Sequence, residues 1–153
     1  MLIVWKDKFA IDGSVIDDDH RVLFDTINSI VETSKGECKC ETVLTEFKRL
    51  RDFAIRHFER EERLQRACGF PDQPDHQELH QDLLDQLARF SEMAESARGP
   101  DVSQDKREQM QRKMQSFLYR WLLSHILAHD VKMRPFIAAM REAAEAMPSL
   151  RVA

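Results

Sequence analysis

The sequence predicts an all-α protein: an up-down-up-down four-helix bundle with an irregular N-terminal lead-in and a short C-terminal helix. Three observations carry this. The 153 residues include only four glycines and five prolines, so turn-makers are scarce. Valine, isoleucine and threonine together number twenty, which leaves little material for a sheet. Apolar residues step by three and four along four separate stretches, the period of a helix that buries one face. The length suits a single domain, 1–153, with a core large enough to need no disulfide staples.

The elements follow in order. Residues 1–15 read as an arm that ends at Gly13-Ser14. The first helix carries Ile16, His20, Leu23, Ile27 and Ile30 on one stripe, and Ser34-Lys35-Gly36 ends it. The second carries Phe47, Leu50, Ala54, His57, Glu61 and Leu64. Cys68-Gly69-Phe70-Pro71 stops it, with a glycine available for a left-handed cap. Pro74-Asp75 opens the third, which carries His76, His80, Leu83, Leu87, Phe90 and Ala94, and Arg98-Gly99-Pro100 closes it. The fourth carries Met114, Leu118, Trp121 and His125. Pro135 lacks a donor and its ring clashes with the carbonyl of residue 131, so this helix is expected to end or kink near Met133-Arg134. The bundle then spans about 16–134, with a tail helix over about 135–146. Short connections make sequential helices antiparallel neighbours.

Charge excludes some functions. Acidic residues number 27 and basic ones 23, for a net charge of −4. A general nucleic-acid or anionic-membrane binder needs a basic surplus. Lys48, Arg49, Arg51, Arg56, Arg60, Arg63 and Arg66 on the second helix alternate with Glu46, Asp52, Glu59 and Glu62, which reads as a solvated face of i,i+4 pairs. Asp17-Asp18-Asp19 lacks the glycine and terminal glutamate of a calcium loop, and reads as helix-start capping. The apolar run at Leu2-Ile3-Val4 is too short for a signal core, and no stretch approaches a membrane span, so a cytoplasmic location is expected. Cys38, Cys40 and Cys68 read as free thiols; a metal or redox pair at Cys38/Cys40 has poor spacing.

The stripes also contain residues that cores avoid. His20, His57, Glu61, His76, His80 and His125 all fall on inward faces. Residues four apart on a helix differ by about 40°, so His57/Glu61 and His76/His80 each aim two ligating groups at the bundle axis. One such histidine is ordinarily a hydrogen-bonded core residue. Contributions from all four helices are not, and a single tyrosine, Tyr119, offers no network to satisfy them. A buried carboxylate also needs a partner or a metal. The set therefore points to a metal site. His76-Gln77-Glu78-Leu79-His80 places its glutamate one position too late for a zinc peptidase. One zinc needs only three or four ligands, so this many candidates point to two metals. Imidazole with bridging carboxylate suits iron.

Ile16-Asp17-Asp18-Asp19-His20, His57-Phe58-Glu59-Arg60-Glu61-Glu62, His76 to His80, and His125-Ile126-Leu127-Ala128-His129-Asp130 resemble the four signatures of the hemerythrin family. Trp5 and the lead-in to Gly13 resemble the start of its single-domain bacterial members, and the likeness covers about 3–137. It implies two iron ions with an oxo or hydroxo bridge, and reversible binding of O₂ held as hydroperoxide. It implies His20, His57, His76, His80 and His125 as terminal ligands, three on one iron and two on the other, with Glu61 and Asp130 bridging. Five imidazoles, two bridging carboxylates and one bridging oxygen then fill eleven of twelve octahedral positions, leaving one for O₂ on the two-histidine iron. Spacing alone favours His129 over Asp130 as the partner of His125, because residues five apart diverge by about 140°. The family pattern favours Asp130, and the nearby Pro135 can distort the helix end.

Phe24, Phe53, Leu84 and Trp121 each lie four residues from a candidate ligand and are read as a dry O₂ pocket, or as ordinary core. The expected function is O₂ storage, delivery or sensing by a monomer or weak oligomer, not catalysis. The alternatives are a di-iron oxidase, peroxidase or nitric oxide-reducing enzyme, and an oxygen-responsive module acting through a protein partner.

Overall fold

The computed structural model describes residues 2–35, 40–96, 99 and 101–150. Four long helices form the bundle: α1 (Val15–Thr33), α2 (Cys40–Cys68), α3 (Gln73–Ser96) and α4 (Gln104–Ala128). A 3-10 segment, Asp130–Phe136, leads into a fifth helix, α5 (Ile137–Ala146). No strand occurs among the described residues, and no helix there is long and apolar enough to cross a membrane. Gly36, Cys38, Arg98 and Pro100 lie outside the described residues, as does the side chain of Cys40.

Local chemistry sets the helix ends. Ser14 does not cap α1 with its side chain. Asp12 does so from upstream: its carboxylate accepts from Ser14 N at 2.9 Å and from Ile16 N and Asp17 N at 3.2 Å. Asp17 reaches back in turn, accepting from Ile11 N at 2.7 Å and Gly13 N at 2.8 Å. The C-terminus of α2 closes with Gly69 at φ +71°. Phe70 N donates to Gln65 O at 2.9 Å and Gly69 N to Arg66 O at 3.4 Å, the paired bonds of a Schellman turn. Nothing lies within 4 Å of a Cβ added at Gly69, so Gly69→Ala is resisted by backbone conformation alone. It is expected to cost about 1 kcal/mol in a urea melt, and Gly69→Asn distinctly less.

The fourth helix departs from the sequence expectation. It does not run to Met133-Arg134; its α-helical part stops at Ala128, and His129 turns out of the helix at φ −121°, ψ −57°. Seven residues of 3-10 helix containing Pro135 follow, and the tail helix starts at Ile137 rather than Pro135. A 3-10 run advances about 120° per residue instead of 100°, so it re-aims every side chain after it.

The core has two apolar parts. The larger includes Leu23, Phe24, Ile27, Phe47, Leu50, Phe58, Leu87, Leu118 and Trp121. The smaller gathers Ile11, Ile16, Leu64, Phe70, Met133 and Met140 where α5 covers one end of the bundle. Arg134 donates to Ala10 O at 2.9 Å and Lys8 O at 2.7 Å, and Arg141 to Asp12 O at 3.0 Å, which ties this cover to the N-terminal arm. On α1, His20 stands between Ile16 of the smaller part and Leu23 of the larger; on α2, Glu61 stands between Leu64 and Phe58.

Candidate metal centre

A layer of buried polar side chains lies between the two apolar parts. Glu61, His76, His80, His125 and Asp130 present ligand atoms that all lie within 4.8 Å of one another, and His20, His57 and Glu61 form a second such group. All seven are buried. All four bundle helices contribute, and Asp130 comes from the first position of the 3-10 segment.

Glu61 faces both groups. Its Oε1 lies 2.9 Å from His76 Nε2 and 3.5 Å from His80 Nε2, while Oε2 lies 3.5 Å from His57 Nε2. Asp130 repeats the pattern: Oδ1 is 3.0 Å from both His76 Nε2 and His125 Nε2, and Oδ2 is 3.3 Å from His20 Nε2. Each carboxylate therefore turns one oxygen toward two histidines and the other toward one, so that the pair together faces His76, His80 and His125 on one side and His20 and His57 on the other. Yet Nε2 of His20, His76, His80 and His125, Oε2 of Glu61 and both Asp130 oxygens make no well-directed hydrogen bond. Buried polar groups are ordinarily satisfied. Nitrogens and oxygens that converge without pointing at one another suit lone pairs aimed at a cation between them, so the donor set fits a metal.

Asp130 answers the question that spacing left open. The helix break at His129 swings Asp130 inward to full burial. His129 stays half-buried, its ring 5.4 Å from that of His125, and belongs to neither ligand group. Burial, with His125 and His76 beside it, holds the His129 imidazolium below its usual range.

Two carboxylates stand behind the histidines. Asp19 Oδ2 lies 3.2 Å from His57 Nδ1, and Glu62 Oε1 lies 2.9 Å from His80 Nδ1. A carboxylate can only accept, so each holds the proton on Nδ1 and leaves the Nε2 lone pair facing inward. Neither partner was legible in the sequence. Asp19 read as helix capping and Glu62 as a solvated charge; their only signal is adjacency to His20 and Glu61. Arg60 is a further correction. Grouped by sequence with an exposed charged face, it is buried and grips Asp19 through Nε at 2.8 Å and Nη2 at 2.7 Å. Gln65 likewise donates to Glu61 Oε1 at 2.9 Å.

The electrostatics of the layer favour positive charge. Burial alone would lower His76, but the Asp130 and Glu61 carboxylates outweigh it and raise its pKa to about 10. The same competition raises His20 and His80. Burial pushes the other way on the two acids, and the surrounding imidazoles still hold Glu61 and Asp130 below the usual carboxylate range. For His57, burial wins and the imidazolium is disfavoured. Two anions with a surplus of imidazoles make a cage that attracts cations and can exchange bound protons for metal.

Residues 13–148 match the family model described as the hemerythrin HHE cation binding domain. The chain belongs to the hemerythrin family. It is similar to proteins named bacteriohemerythrin from Clostridium acetobutylicum, 29% identical over 84% of this chain and 96% of that protein, and from Stenotrophomonas maltophilia, 28% identical over 84% and 77%. A hemerythrin-like protein from Naegleria gruberi is 25% identical over 84% of this chain and 87% of its own length.

The family membership directs attention to the apolar wall of the layer. Of the four residues read as an O₂ pocket, Phe24 packs on Trp5 and Phe9, with ring centroids 5.6 and 5.2 Å away. Trp121 is buried and donates Nε1–H to Leu83 O at 2.9 Å. Leu84 is half-buried, and Phe53 lies under the Arg56 and Arg60 guanidinium groups, each 5.7 Å from its centroid. The aromatic side chain that meets the most candidate ligands is Phe58, which the sequence reading passed over. It stacks on His80 at 4.0 Å and 12°, and its centroid lies 5.4 Å from His57 and 6.1 Å from His125. Cys68 is a free thiol directed at Gln65 O at 3.5 Å, and burial raises its pKa.

Proposed function

We propose that the chain binds O₂ reversibly at a two-iron centre, for storage, delivery or sensing, and that it is not an enzyme. In this reading His76, His80 and His125 serve one iron, His20 and His57 the other, and Glu61 and Asp130 bridge them. The observation that carries it is the division of the two carboxylates, each with one oxygen toward the group of three imidazoles, His76, His80 and His125, and the other toward the pair His20 and His57. The unequal histidine count supports an open position on the two-histidine side once a bridging oxygen is added. Two irons so held would supply the reversible redox chemistry that O₂ binding needs.

The rest is the work of the protein. Asp19 and Glu62 fix the tautomers of His57 and His80. Phe58, Trp121 and Ile126 exclude water from one side of the layer, and Leu64 and Met133 from the other. A dry wall disfavours charge separation and proton entry, and so slows loss of bound oxygen. Five neutral imidazoles against two carboxylates give a low ligand charge, which favours holding O₂ over splitting it.

The test is an anaerobic O₂ titration of the reduced protein, with iron counted on the same sample. The expected result is two irons per chain and a visible charge-transfer band that rises with O₂ and fades when O₂ is removed. Prompt irreversible oxidation, or rapid consumption of peroxide or nitric oxide, would assign the centre to enzyme chemistry instead. No iron, or zinc alone, in natively expressed protein would end the reading.

A further inference from the structure

The two carboxylates behind the histidines are not equivalent. Glu62 meets His80 Nδ1 at 2.9 Å, and its own cation, Arg66, stands 3.9 Å away on a half-exposed side chain. Water screens that pair. Asp19 meets His57 Nδ1 at the longer distance of 3.2 Å, while both of its oxygens are taken by the buried Arg60 fork at 2.7 and 2.8 Å. The guanidinium is held from its other side by the Phe53 ring, 5.7 Å from the centroid. A carboxylate that shares its charge with a bidentate guanidinium is a weaker acceptor for a third donor. The strength of that acceptor sets how much electron density the imidazole offers through Nε2.

We propose that Arg60 is a positioning residue that acts through Asp19: it weakens the carboxylate's pull on His57 Nδ1–H and so keeps His57 a poorer electron donor than His80. The inference rests on the two-iron reading, in which His57 serves the side with the open position. A poorer donor stabilises ferric iron less, so Arg60 holds the reduction potential of the two-histidine iron above what Asp19 alone would set. Arg60 thereby resists oxidation of the form that takes up O₂. Nothing in the Glu62–His80 pair offers a matching clamp among the described residues.

The experiment compares unaltered protein with Arg60→Met, Arg60→Lys, Asp19→Asn and the Asp19→Asn/Arg60→Met double variant. Iron per chain is counted and the midpoint potentials are measured by spectroelectrochemical titration. Arg60→Met is expected to shift one iron about tenfold toward the ferric form, which is about 59 mV for a one-electron couple. Arg60→Lys recovers part of the shift, and Asp19→Asn moves the same iron the opposite way. In the Asp19→Asn background the Arg60→Met effect should vanish, because there is no carboxylate left to relieve. The double variant removes both charges together, so it also guards against loss of folding from one stranded buried ion.

Unchanged potentials in an Arg60→Met variant that keeps its iron would overturn the proposal. So would a shift of equal size in the Asp19→Asn background, since Arg60 would then act only as a distant charge. An iron count of one or none in unaltered protein would defeat the two-iron reading separately. The clamp itself is then read in metal-free protein by NMR: Arg60→Met should move the His57 Nδ1 proton downfield, and an unmoved proton rejects the clamp.

Discussion

Asp130→Ala will strip the candidate centre of most of its metal, whereas His129→Ala will leave the metal content unchanged. Asp130 is the carboxylate whose oxygens face His76 and His125 on one side and His20 on the other, at 3.0 to 3.3 Å. Its loss removes a donor from both groups and leaves Glu61 as the one carboxylate between the five buried imidazoles. Substituting a residue that merely orients a ligand costs about 10–100-fold in metal affinity. Removing a shared ligand should exceed the upper end, so the expected loss is at least ~100-fold, or about 2.7 kcal/mol. Metal analysis after dialysis against a graded chelator series reads this directly. Metal retained by Asp130→Ala and lost from His129→Ala would instead make a ligand of the residue that spacing favoured, and equal retention would remove Asp130 from the ligand set.

Phe58→Ala is expected to be the most destabilising truncation near the site. Phe58 is 5% exposed and packs on His80, His57, His125 and Trp121 together. Phenylalanine-to-alanine changes in closed cores cost about 3–5 kcal/mol, and these rigid neighbours, held by their own partners, have little freedom to collapse into the void. The half-buried Phe53 serves as a control, with an expected cost of less than half as much. Urea unfolding of metal-free protein separates this packing loss from any change in metal content. In loaded protein, water admitted through the same void should also speed irreversible oxidation, measured as the decay rate of the oxygenated spectrum.

The bundle was legible because helix-forming information is local. Apolar steps of three and four, the scarcity of glycine and proline, and the stop at Gly69 each act within one or two turns of chain. The inward set His20, His57, Glu61, His76, His80 and His125 was legible for the same reason, since each rides its own helix's apolar stripe. Arg60 and Glu62 were not. They sit on the second helix among Arg56, Glu59 and Arg63, which are exposed, and nothing local distinguishes buried charges from solvated ones. Their burial depends on what α1 and α3 bring against them: Asp19 for Arg60, and His80 for Glu62.

The sequence by itself determined the helices, the faces they bury and the chemistry carried on those faces. Only the tertiary structure decided which charges pair behind the histidines and that Asp130, not His129, enters the layer. The physical reason is one of range. Helical periodicity fixes a direction for each side chain over a few residues, and the break at His129, followed by seven residues of 3-10 helix, cancels that inference for everything after it. Whether a buried charge is tolerated depends on a partner 18 residues away for Glu62 and 41 for Arg60, across a gap that only packing closes.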